Sequence, residues 1–230
     1  MLSSPLVVKV RSMTRKIGLN KLIGSLLIGS RYEDKFGPAF KACIRTRDTV
    51  WDVGANVGLY TAVFLQATGQ GGHVVAFEPT AACFDQLRGR FTDPARVTLK
   101  NMALGDSDGT ISIAVDADPL AATHHIVSGN TSGAGFVAVD VRAAGSLVKE
   151  APDLFPNAVK IDVEGHEGAV LDGFEPLLAD KRLHSIGIEV HFGLLDARGE
   201  SARPRQMEQT LARNGFTVHW TDPSHLLATR

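Results

Sequence analysis

Residues 50–60 read Val50-Trp51-Asp52-Val53-Gly54-Ala55-Asn56-Val57-Gly58-Leu59-Tyr60. A short apolar run passes into a turn that contains two glycines, and a helical pattern follows directly. Glycine lets a backbone approach a ligand at a point where a side chain would block it. The run therefore predicts a buried β-strand, a ligand-binding turn and the start of a helix.

Similar apolar runs and helical patterns alternate along the chain, which favours a mainly parallel α/β sheet with helices on both faces. The predicted strands are Val50–Val53, His73–Phe77, Val97–Lys100, Ile111–Val115, Phe136–Val141, Ala158–Val163, Ser185–Val190, Thr217–Trp220 and Leu226–Ala228. The predicted helices are Leu59–Ala67, Ala82–Phe91, Ala144–Glu150, His166–Leu178 and Pro204–Asn214. We expect one domain over residues 48–230, preceded by an N-terminal extension over residues 1–47.

The composition is that of an ordinary globular protein, with 44% hydrophobic and 21% charged residues, which argues against disorder. Cys43 and Cys83 have no partner at the spacing of a metal or redox motif, so we expect a reducing compartment. The sequence shows neither a secretory signal nor an apolar run long enough to cross a bilayer. The predicted location is the cytoplasm.

The predicted N-terminal extension is strongly basic. Residues 1–47 contain ten Lys or Arg against two acidic residues, a formal charge of +8, so the rest of the chain carries −9. A basic helix over Val7–Ile28 would make peripheral contact with an anionic membrane or meet an acidic acceptor. A solvated helix that covers one sheet edge is the alternative. No nucleic-acid partner is expected, and the sequence does not determine the oligomeric state.

A carboxylate follows the second predicted strand. Glu78 comes about twenty residues after Gly58, where it can accept hydrogen bonds from the ribose of a nucleoside. The glycines lack the spacing of a pyrophosphate-binding loop, and Asp52, just before the turn, would repel a phosphate. Asp52 would instead suit the positively charged ammonium and sulfonium of S-adenosylmethionine, which is therefore the predicted cofactor.

The third predicted strand is followed by residues that can hold the base of this nucleoside. Met102, Ala103 and Leu104 are placed to flank an adenine ring, and Asp106 to accept a hydrogen bond from its amino group. For each of these residues, a loop that only closes the strand is the alternative.

A second group of ionisable residues lies at the ends of two later strands. Strand alternation places Asp162 with Glu164 on one face, and Glu189 with His191 on one face of the next strand. If these strands are neighbours, the four groups converge, and crowded carboxylates repel one another unless they share a proton, a metal or a cationic ligand. Glu167, in the first turn of the next helix, could simply complement the helix dipole.

Methyl transfer to an alcohol would give this group a function, because the hydroxyl needs a base to accept its proton. His166 or His191 could be that base, with Asp162 or Glu164 orienting the hydroxyl. Alternatively, Asp162, Glu189 and His191 could hold a divalent metal ion that acidifies the hydroxyl. His191 could also be a hydrogen-bonded structural residue.

A run rich in Gly, Ser, Thr and Ala, Asp116–Gly135, separates two predicted strands. An irregular segment of this length in a compact domain is typically a lid or a linker, and we expect it at the mouth of the acceptor site. The adjacent His124 and His125 point apart, so they are not expected to share a metal and are candidates only for contacts with the acceptor.

Four runs together resemble the FkbM-type methyltransferase family. These runs are Val50–Gly58, Ala76–Pro79, Asn101–Gly105 and Lys160–Glu167. The resemblance covers about residues 49–191, and Lys160-Ile161-Asp162-Val163-Glu164-Gly165-His166-Glu167 is its most specific part. It implies a class I methyltransferase sheet in the order 3-2-1-4-5-7-6, S-adenosylmethionine as donor, and O-methylation of sugars or polyketide-type products. It also implies that Glu78 contacts the ribose of the donor. The residues that it implies around the methionine part are Asp52, Gly54, Asn56 and Gly58.

The expected function is an S-adenosylmethionine-dependent O-methyltransferase that acts on a hydroxyl of a sugar, a glycan or a polyhydroxylated natural product. Two alternatives remain, a nicotinamide-dependent oxidoreductase and a non-catalytic cofactor-binding scaffold. The glycine spacing, Asp52 and the lack of a Tyr-x-x-x-Lys pair disfavour the first alternative. The intact set of Gly54, Gly58, Glu78 and Asp162 disfavours the second.

Overall fold

A computed structural model of the chain describes residues 35–114, 125–127 and 136–230. The predicted helix over Val7–Ile28, most of the predicted lid over Asp116–Gly135, and His124 lie outside the described residues. Residues 125–127 form a short strand, so the prediction of an irregular segment is wrong at these positions. Within the described ranges, every helix is too short or too polar to span a lipid bilayer.

Strands and helices alternate through most of the described chain, as the sequence predicts. The strands are β1 (Thr49–Val53), β2 (His73–Phe77), β3 (Val97–Lys100), β4 (Ala103–Gly105), β5 (Gly109–Ala114), β6 (His125–Val127), β7 (Phe136–Ala143), β8 (Ala158–Ile161), β9 (Ser185–Glu189), β10 (Thr217–Trp220) and β11 (His225–Thr229). The helices are α1 (Phe36–Cys43), α2 (Leu59–Ala67), α3 (Ala81–Arg90), α4 (Ala144–Glu150), α5 (Glu167–Gly173), α6 (Glu175–Leu178), α7 (Phe192–Ala197) and α8 (Arg203–Arg213).

Seven strands form the main sheet, in the order β10-β11-β9-β8-β1-β2-β3. Neighbouring strands are parallel except for β11, which runs antiparallel to both β9 and β10. Read from β3, this is the 3-2-1-4-5-7-6 order of the class I methyltransferase sheet, which confirms the predicted fold class. The carboxyl ends of β1, β2, β8 and β9 therefore meet at one edge, where α/β sheets bind ligands.

Strand β1 is an interior strand of the main sheet, between β8 and β2, and four of its five residues are buried. Trp51 is 1% exposed, and its indole N–H donates to the backbone oxygen of Leu154 at 2.8 Å. Its ring packs against Phe77 and Phe174, with ring centroids 4.9 and 5.5 Å away. This aromatic cluster fixes β1 between β2 and helix α5, and so sets the position of the glycine turn that follows.

Helix α1 packs on the opposite face of the sheet. Phe36 and Phe40 are fully buried there, and their rings lie over Gly187 of β9. A side chain at Gly187 would occupy the space of these rings, because an added Cβ would lie 2.7 Å from each of them. Helix α1 falls within the predicted extension over residues 1–47, so this part of the extension contributes to the core.

A second sheet has the order β4-β7-β5-β6. Strands β5 and β7 were predicted as strands, but not as members of a separate sheet. Helix α5 joins the two sheets, since a Cβ at Gly173 would lie only 2.0 Å from the backbone oxygen of Gly105 in β4. The small sheet is thereby held against the carboxyl edge of the main sheet.

Helices α5, α6 and α7 differ from the prediction, and α1 is not among the individually predicted helices. The segment His166–Leu178 forms α5 and α6 rather than one helix, because Pro176 lies in the first turn of α6 and cannot continue the preceding hydrogen-bond ladder. Helix α7 was not predicted, since its length is too short for a helical hydrophobic period to be recognised.

The contact between α1 and β9 yields a stability prediction. We expect Gly187→Ala to lower the free energy of unfolding by about 1–3 kcal/mol, because the added methyl group would clash with the fully buried Phe36 and Phe40 rings. Urea unfolding followed by circular dichroism measures this change. The matched control is Gly89→Ala in α3, where an added Cβ meets nothing within 4 Å. This control should raise stability by up to about 0.5–1 kcal/mol, and equal effects of the two substitutions would contradict the packing described.

Candidate active site

A cleft opens at the carboxyl edge of the main sheet and encloses about 780 Å³ out to its open mouth. Its walls come from the glycine turn, the segment after β2, the second sheet and the loop after β8. The lining residues are Val53, Gly54, Asn56, Phe77, Glu78, Pro79, Thr80, Cys83, Met102, Ala103, Leu104, Ile113, Asp162, Val163, Glu164 and His166. Its size and its position suit a nucleoside-sized ligand.

The glycine turn has left-handed backbone at Gly54 (φ 79°), Asn56 (φ 51°) and Gly58 (φ 82°). A Cβ at Gly54 would lie 1.9 Å from the backbone oxygen of Asp162, and one at Gly58 would lie 2.4 Å from the ring of Phe91. Contacts within the protein therefore require both glycines, although they were predicted to make room for a ligand. Gly54 and Asn56 line the cleft, and Gly58 is instead the N-cap of α2.

Glu78 joins the glycine turn to the segment after β2. Its Oε2 accepts a hydrogen bond from the Asn56 backbone N–H at 2.9 Å, and its Oε1 accepts from the backbone N–H and the hydroxyl of Thr80 at 2.9 and 2.5 Å. A carboxylate has about four acceptor directions, so at least one is left for a ribose hydroxyl. Glu78 is 6% exposed and lines the cleft, where the prediction places the ribose.

The second sheet supplies the apolar wall of the cleft. Met102, Ala103 and Leu104, expected at the adenine, all line it. Ile113 of β5 lines it as well and was not predicted, because its strand was assigned to the main sheet. Asp106 is exposed and does not line the cleft, which corrects the expectation that its carboxylate contacts the base.

Asp52 does not line the cleft, which corrects the expectation that its carboxylate faces the ligand. The side chain is fully buried beneath α2, where its Oδ2 accepts a hydrogen bond from the Thr61 hydroxyl at 2.6 Å. Its Oδ1 lies 3.8 Å from Nζ of Lys160 on the neighbouring strand β8. The buried carboxylate of Asp52 therefore pairs with Lys160 behind the cleft.

Lys160 is a functional candidate that the sequence analysis did not single out. Its ammonium is 3.2 Å from Oδ2 of Asp162 and lies over the Tyr60 ring, 4.8 Å from the ring centroid. Burial alone would lower the pKa of Lys160, but the charges of Asp162 and Asp52 outweigh burial and raise this pKa above its ordinary value. Lys160 thus remains a buried cation that fixes the cleft-lining Asp162.

The loop after β8 carries two carboxylates into the cleft. Strand β8 ends at Ile161, earlier than predicted, and the chain then turns through left-handed backbone at Glu164 (φ 49°) and Gly165 (φ 91°). This turn brings both Asp162 and Glu164 to the cleft. The prediction explained their shared position by strand alternation, which is wrong because both residues follow the strand.

His191 is the centre of the predicted ionisable cluster. Its Nε2 lies 3.2 Å from Oε2 of Glu164 and 3.9 Å from both Oδ1 of Asp162 and Oε1 of Glu189. The four groups converge because β8 and β9 are neighbouring parallel strands. His191 is itself 6% exposed, behind the cleft-lining carboxylates.

Glu167 holds the other side of the His191 ring. Its Oε1 accepts hydrogen bonds from His191 Nδ1 at 2.6 Å and from the Gly165 backbone N–H at 2.7 Å. The residue is fully buried, so the interpretation of Glu167 as a partner of the helix dipole alone is insufficient. The signal that could have identified it is its helical spacing from Val170 and Leu171, which places Glu167 on the buried face of α5.

The surroundings of His191 make it a cation. Burial alone would lower the pKa of His191, but the hydrogen bond to Glu167 and the charges of Glu164, Glu167 and Asp162 raise this pKa to about 9. A protonated imidazole cannot accept a proton, so at neutral pH this geometry does not favour His191 as the base. The carboxylates around it are the stronger candidates.

His166 lines the cleft, but one of its ring nitrogens is already occupied. Nη1 of Arg198 lies 2.5 Å from His166 Nε2, and a second nitrogen of the same guanidinium donates to the Gly165 backbone oxygen. A guanidinium only donates hydrogen bonds, so Nε2 is the acceptor in this pair. That nitrogen is therefore not available to take a proton from an acceptor in this conformation.

The cluster also has a geometry that suits a divalent cation. Ligand atoms of Asp162, Glu164 and His191 lie within 4.8 Å of one another. Carboxylate oxygens and a neutral imidazole are ordinary ligands of such ions. The predicted metal ligands were Asp162, Glu189 and His191, with Glu189 in the place of Glu164. In the structure, Glu189 lies between His191 and His225, and its Oε2 is 3.5 Å from Nε2 of His225.

The chain is similar to known methyltransferases in sequence. The chain matches the model of the methyltransferase FkbM domain over residues 52–218. The hexuronic acid methyltransferase AglP of Haloferax volcanii is 32% identical over 149 residues, which make up 64% of this chain and 57% of that protein. The chain thus matches little more than half the length of this relative.

Solved structures share the fold at low sequence identity. The methyltransferase FkbM from Methylobacillus flagellatus KT has a TM-score of 0.53 at 18% identity, over 81% of this chain and 44% of that chain. A putative rRNA-methylase from Clostridium thermocellum has a TM-score of 0.54 at 13% identity, over 85% and 93%. SMU.1697c, a putative methyltransferase from Streptococcus mutans in complex with SAH, has a TM-score of 0.52 at 12% identity, over 85% and 96%. These likenesses show the fold.

The buried His191 makes stability depend on pH. Because its pKa is raised from an unfolded value of about 6.5 to about 9, its contribution is fully present below pH 6.5 and is lost as the pH rises through 9. We expect the free energy of unfolding, measured with urea, to fall over this range and the fall to be smaller in His191→Gln. A residual fall should remain, because the pKa of His225 is also raised. Burial alone would lower this pKa, but the hydrogen bonds to Glu189 and Asp222 and the negative charges of these two residues raise it by more. Substitution of the exposed His219 by Gln is the control, and an unchanged slope in His191→Gln would contradict the cationic assignment.

Proposed function

This chain belongs to the FkbM methyltransferase family, and we propose that it transfers a methyl group from S-adenosylmethionine to a hydroxyl of a sugar, a glycan or another polyhydroxylated molecule. One observation carries the proposal: Glu78, expected at the donor's ribose, lines the same cleft as Asp162 and Glu164, expected at the acceptor. Methyl transfer requires donor and acceptor to lie in contact and in line, and a shared cleft permits this.

The residues of the cleft fit this donor. When bound, S-adenosylmethionine supplies a methyl group activated on a positively charged sulfonium. Glu78 offers an acceptor for a ribose hydroxyl, and Met102 and Leu104 offer apolar surface to the base. Asp162 and Glu164 place negative charge beside them, which favours a cationic ligand over a dinucleotide phosphate.

The same two carboxylates are the groups that can accept the proton of the acceptor hydroxyl. Lys160 fixes Asp162, and His191 fixes Glu164, so each carboxylate is oriented before the acceptor arrives. The protonated His191 therefore has a positioning role in the proposed reaction. A divalent cation bound by Asp162, Glu164 and a neutral His191 is the second arrangement that the geometry favours, and it would acidify the hydroxyl directly.

The polyhydroxylated acceptor is supported by two observations. Hydroxyl groups donate hydrogen bonds well to carboxylates, and two carboxylates, those of Asp162 and Glu164, line the acceptor side of the cleft. AglP of Haloferax volcanii is named for a sugar acid, although this chain matches only 57% of that protein. We therefore propose the class of acceptor and leave its identity to a screen.

The donor assignment gives the first test. We expect Glu78→Ala to weaken binding of S-adenosylhomocysteine by about 1–3 kcal/mol, because charged hydrogen bonds to the ribose are lost. Isothermal titration calorimetry measures the dissociation constant, and Glu78→Gln, which retains an acceptor oxygen, should lose less. The exposed Glu175→Ala is the control for loss of a carboxylate elsewhere. Tight binding of NAD or NADP by the wild type, without binding of S-adenosylhomocysteine, would overturn the proposed donor.

The acceptor side gives the second test. We expect Asp162→Asn to lower kcat about 100-fold or more, the usual effect of losing a base, while the dissociation constant of S-adenosylhomocysteine changes little. Transfer of labelled methyl to a panel of polyhydroxylated acceptors measures the rate, and the exposed Asp153→Asn is the control. Full activity of Asp162→Asn would remove Asp162 from the mechanism.

A chelator arm in the same assay separates the two arrangements of the site. If EDTA leaves the rate unchanged, a carboxylate acts as the base without a metal. If EDTA abolishes the rate and added Mg²⁺ or Mn²⁺ restores it, the cation arrangement at Asp162, Glu164 and His191 holds instead.

A further inference from the structure

Phe192 follows His191 of the ionisable cluster directly, and its ring packs against that of Trp220. These two aromatic side chains lie outside the lining of the cleft and take no part in the reaction proposed above. Phe192, the first residue of α7, is 40% exposed. Trp220, the last residue of β10, is half-buried. Their ring centroids are 5.6 Å apart and their planes are inclined by 35°. We call Phe192 and Trp220 the aromatic pair.

The aromatic pair lies on the same edge of the sheet as the cleft. Strand β10 is antiparallel to β11, which is antiparallel to β9, so Trp220 and Glu189 end at the same edge. Phe192 follows His191 directly, and its Cα therefore lies about 3.8 Å from that of His191. Along this edge, the donor cleft comes first, then the carboxylates around His191, and then the aromatic pair.

The aromatic pair is held in place by the protein. The Trp220 indole N–H donates to Glu208 of α8, which fixes the plane of the ring. Helix α7 is anchored behind Phe192, because Leu195 is 1% exposed and Leu194 packs against the turn at Gly165. A preset surface of this kind loses little conformational entropy when a ligand binds.

The chemistry of this edge matches one class of ligand. A pyranose ring has a face of C–H groups, which packs on aromatic rings, and a rim of hydroxyls, which donate to carboxylates. A wholly apolar ligand would desolvate Asp162 and Glu164 without hydrogen bonds, and a phosphate would be repelled by them. We propose that Phe192 and Trp220 form a stacking platform for the pyranose ring of the acceptor, an inference that rests on the proposed function.

The chain's two tryptophans give a direct test of this platform. An isotope-labelled sample shows one indole N–H signal for Trp220 and one for the buried Trp51, and Trp220→Phe assigns them. We expect titration with the methyl glycosides of glucose, glucosamine and glucuronic acid to shift the Trp220 signal for at least one sugar. The Trp51 signal, from a ring that is 1% exposed, should not move. Glycerol, a polyol without a ring face, should move neither signal.

Variants of Phe192 separate stacking from simple burial. Phe192→Leu keeps an apolar side chain but loses the aromatic face, so the apparent affinity for the sugar should fall about tenfold. Phe192→Tyr keeps the ring and should stay within about twofold of the wild type. Equal affinities for Phe192→Leu and the wild type would overturn the platform, as would the lack of any Trp220 shift across the three sugars.

The titration is run with and without saturating S-adenosylhomocysteine, so that the two proposals fail separately. If the wild type does not bind S-adenosylhomocysteine, the proposed function fails, while the indole signals still report on the platform. If S-adenosylhomocysteine binds and no glycoside moves the Trp220 signal, the platform is wrong and the proposed donor site stands.

Discussion

Buried positive charge between crowded carboxylates is the interaction on which this edge of the molecule depends. Lys160 lies between Asp52 and Asp162, and His191 lies between Glu167 and the cleft-lining Glu164. Without these two cations, the carboxylates would repel one another in a setting that water screens poorly. The ion pairs therefore do more than stabilise the fold, because they fix the direction of each carboxylate that reaches the cleft.

Close backbone packing connects the donor and acceptor sides of the cleft. Gly54 of the donor-side turn packs directly on the backbone oxygen of Asp162, with no space for a Cβ between them. Glu167 binds the Gly165 backbone N–H and thereby holds the same loop from its other end. The loop after β8 is thus held between the donor-side turn and the start of α5.

Local patterns were sufficient for most of the elements. The predicted bounds of β2, β3, β10, α2 and α4 coincide with the structure, since hydrophobic period and turn residues lie within each segment. Errors occurred where distant parts of the chain decide the outcome. The small β4-β7-β5-β6 sheet depends on the approach of Gly173 to Gly105, and the turn after β8 depends on left-handed backbone at Glu164.

The sequence by itself determined the fold class and the position of the glycine turn, because both follow from spacing and alternation along the chain. Only the tertiary structure decided which partner each ionisable side chain has. Asp52 faces Lys160 rather than the cleft, and Glu167 faces His191 rather than solvent. The reason is physical: these pairs form across the β1–β8 register and between α5 and the end of β9, and no local pattern contains such distances.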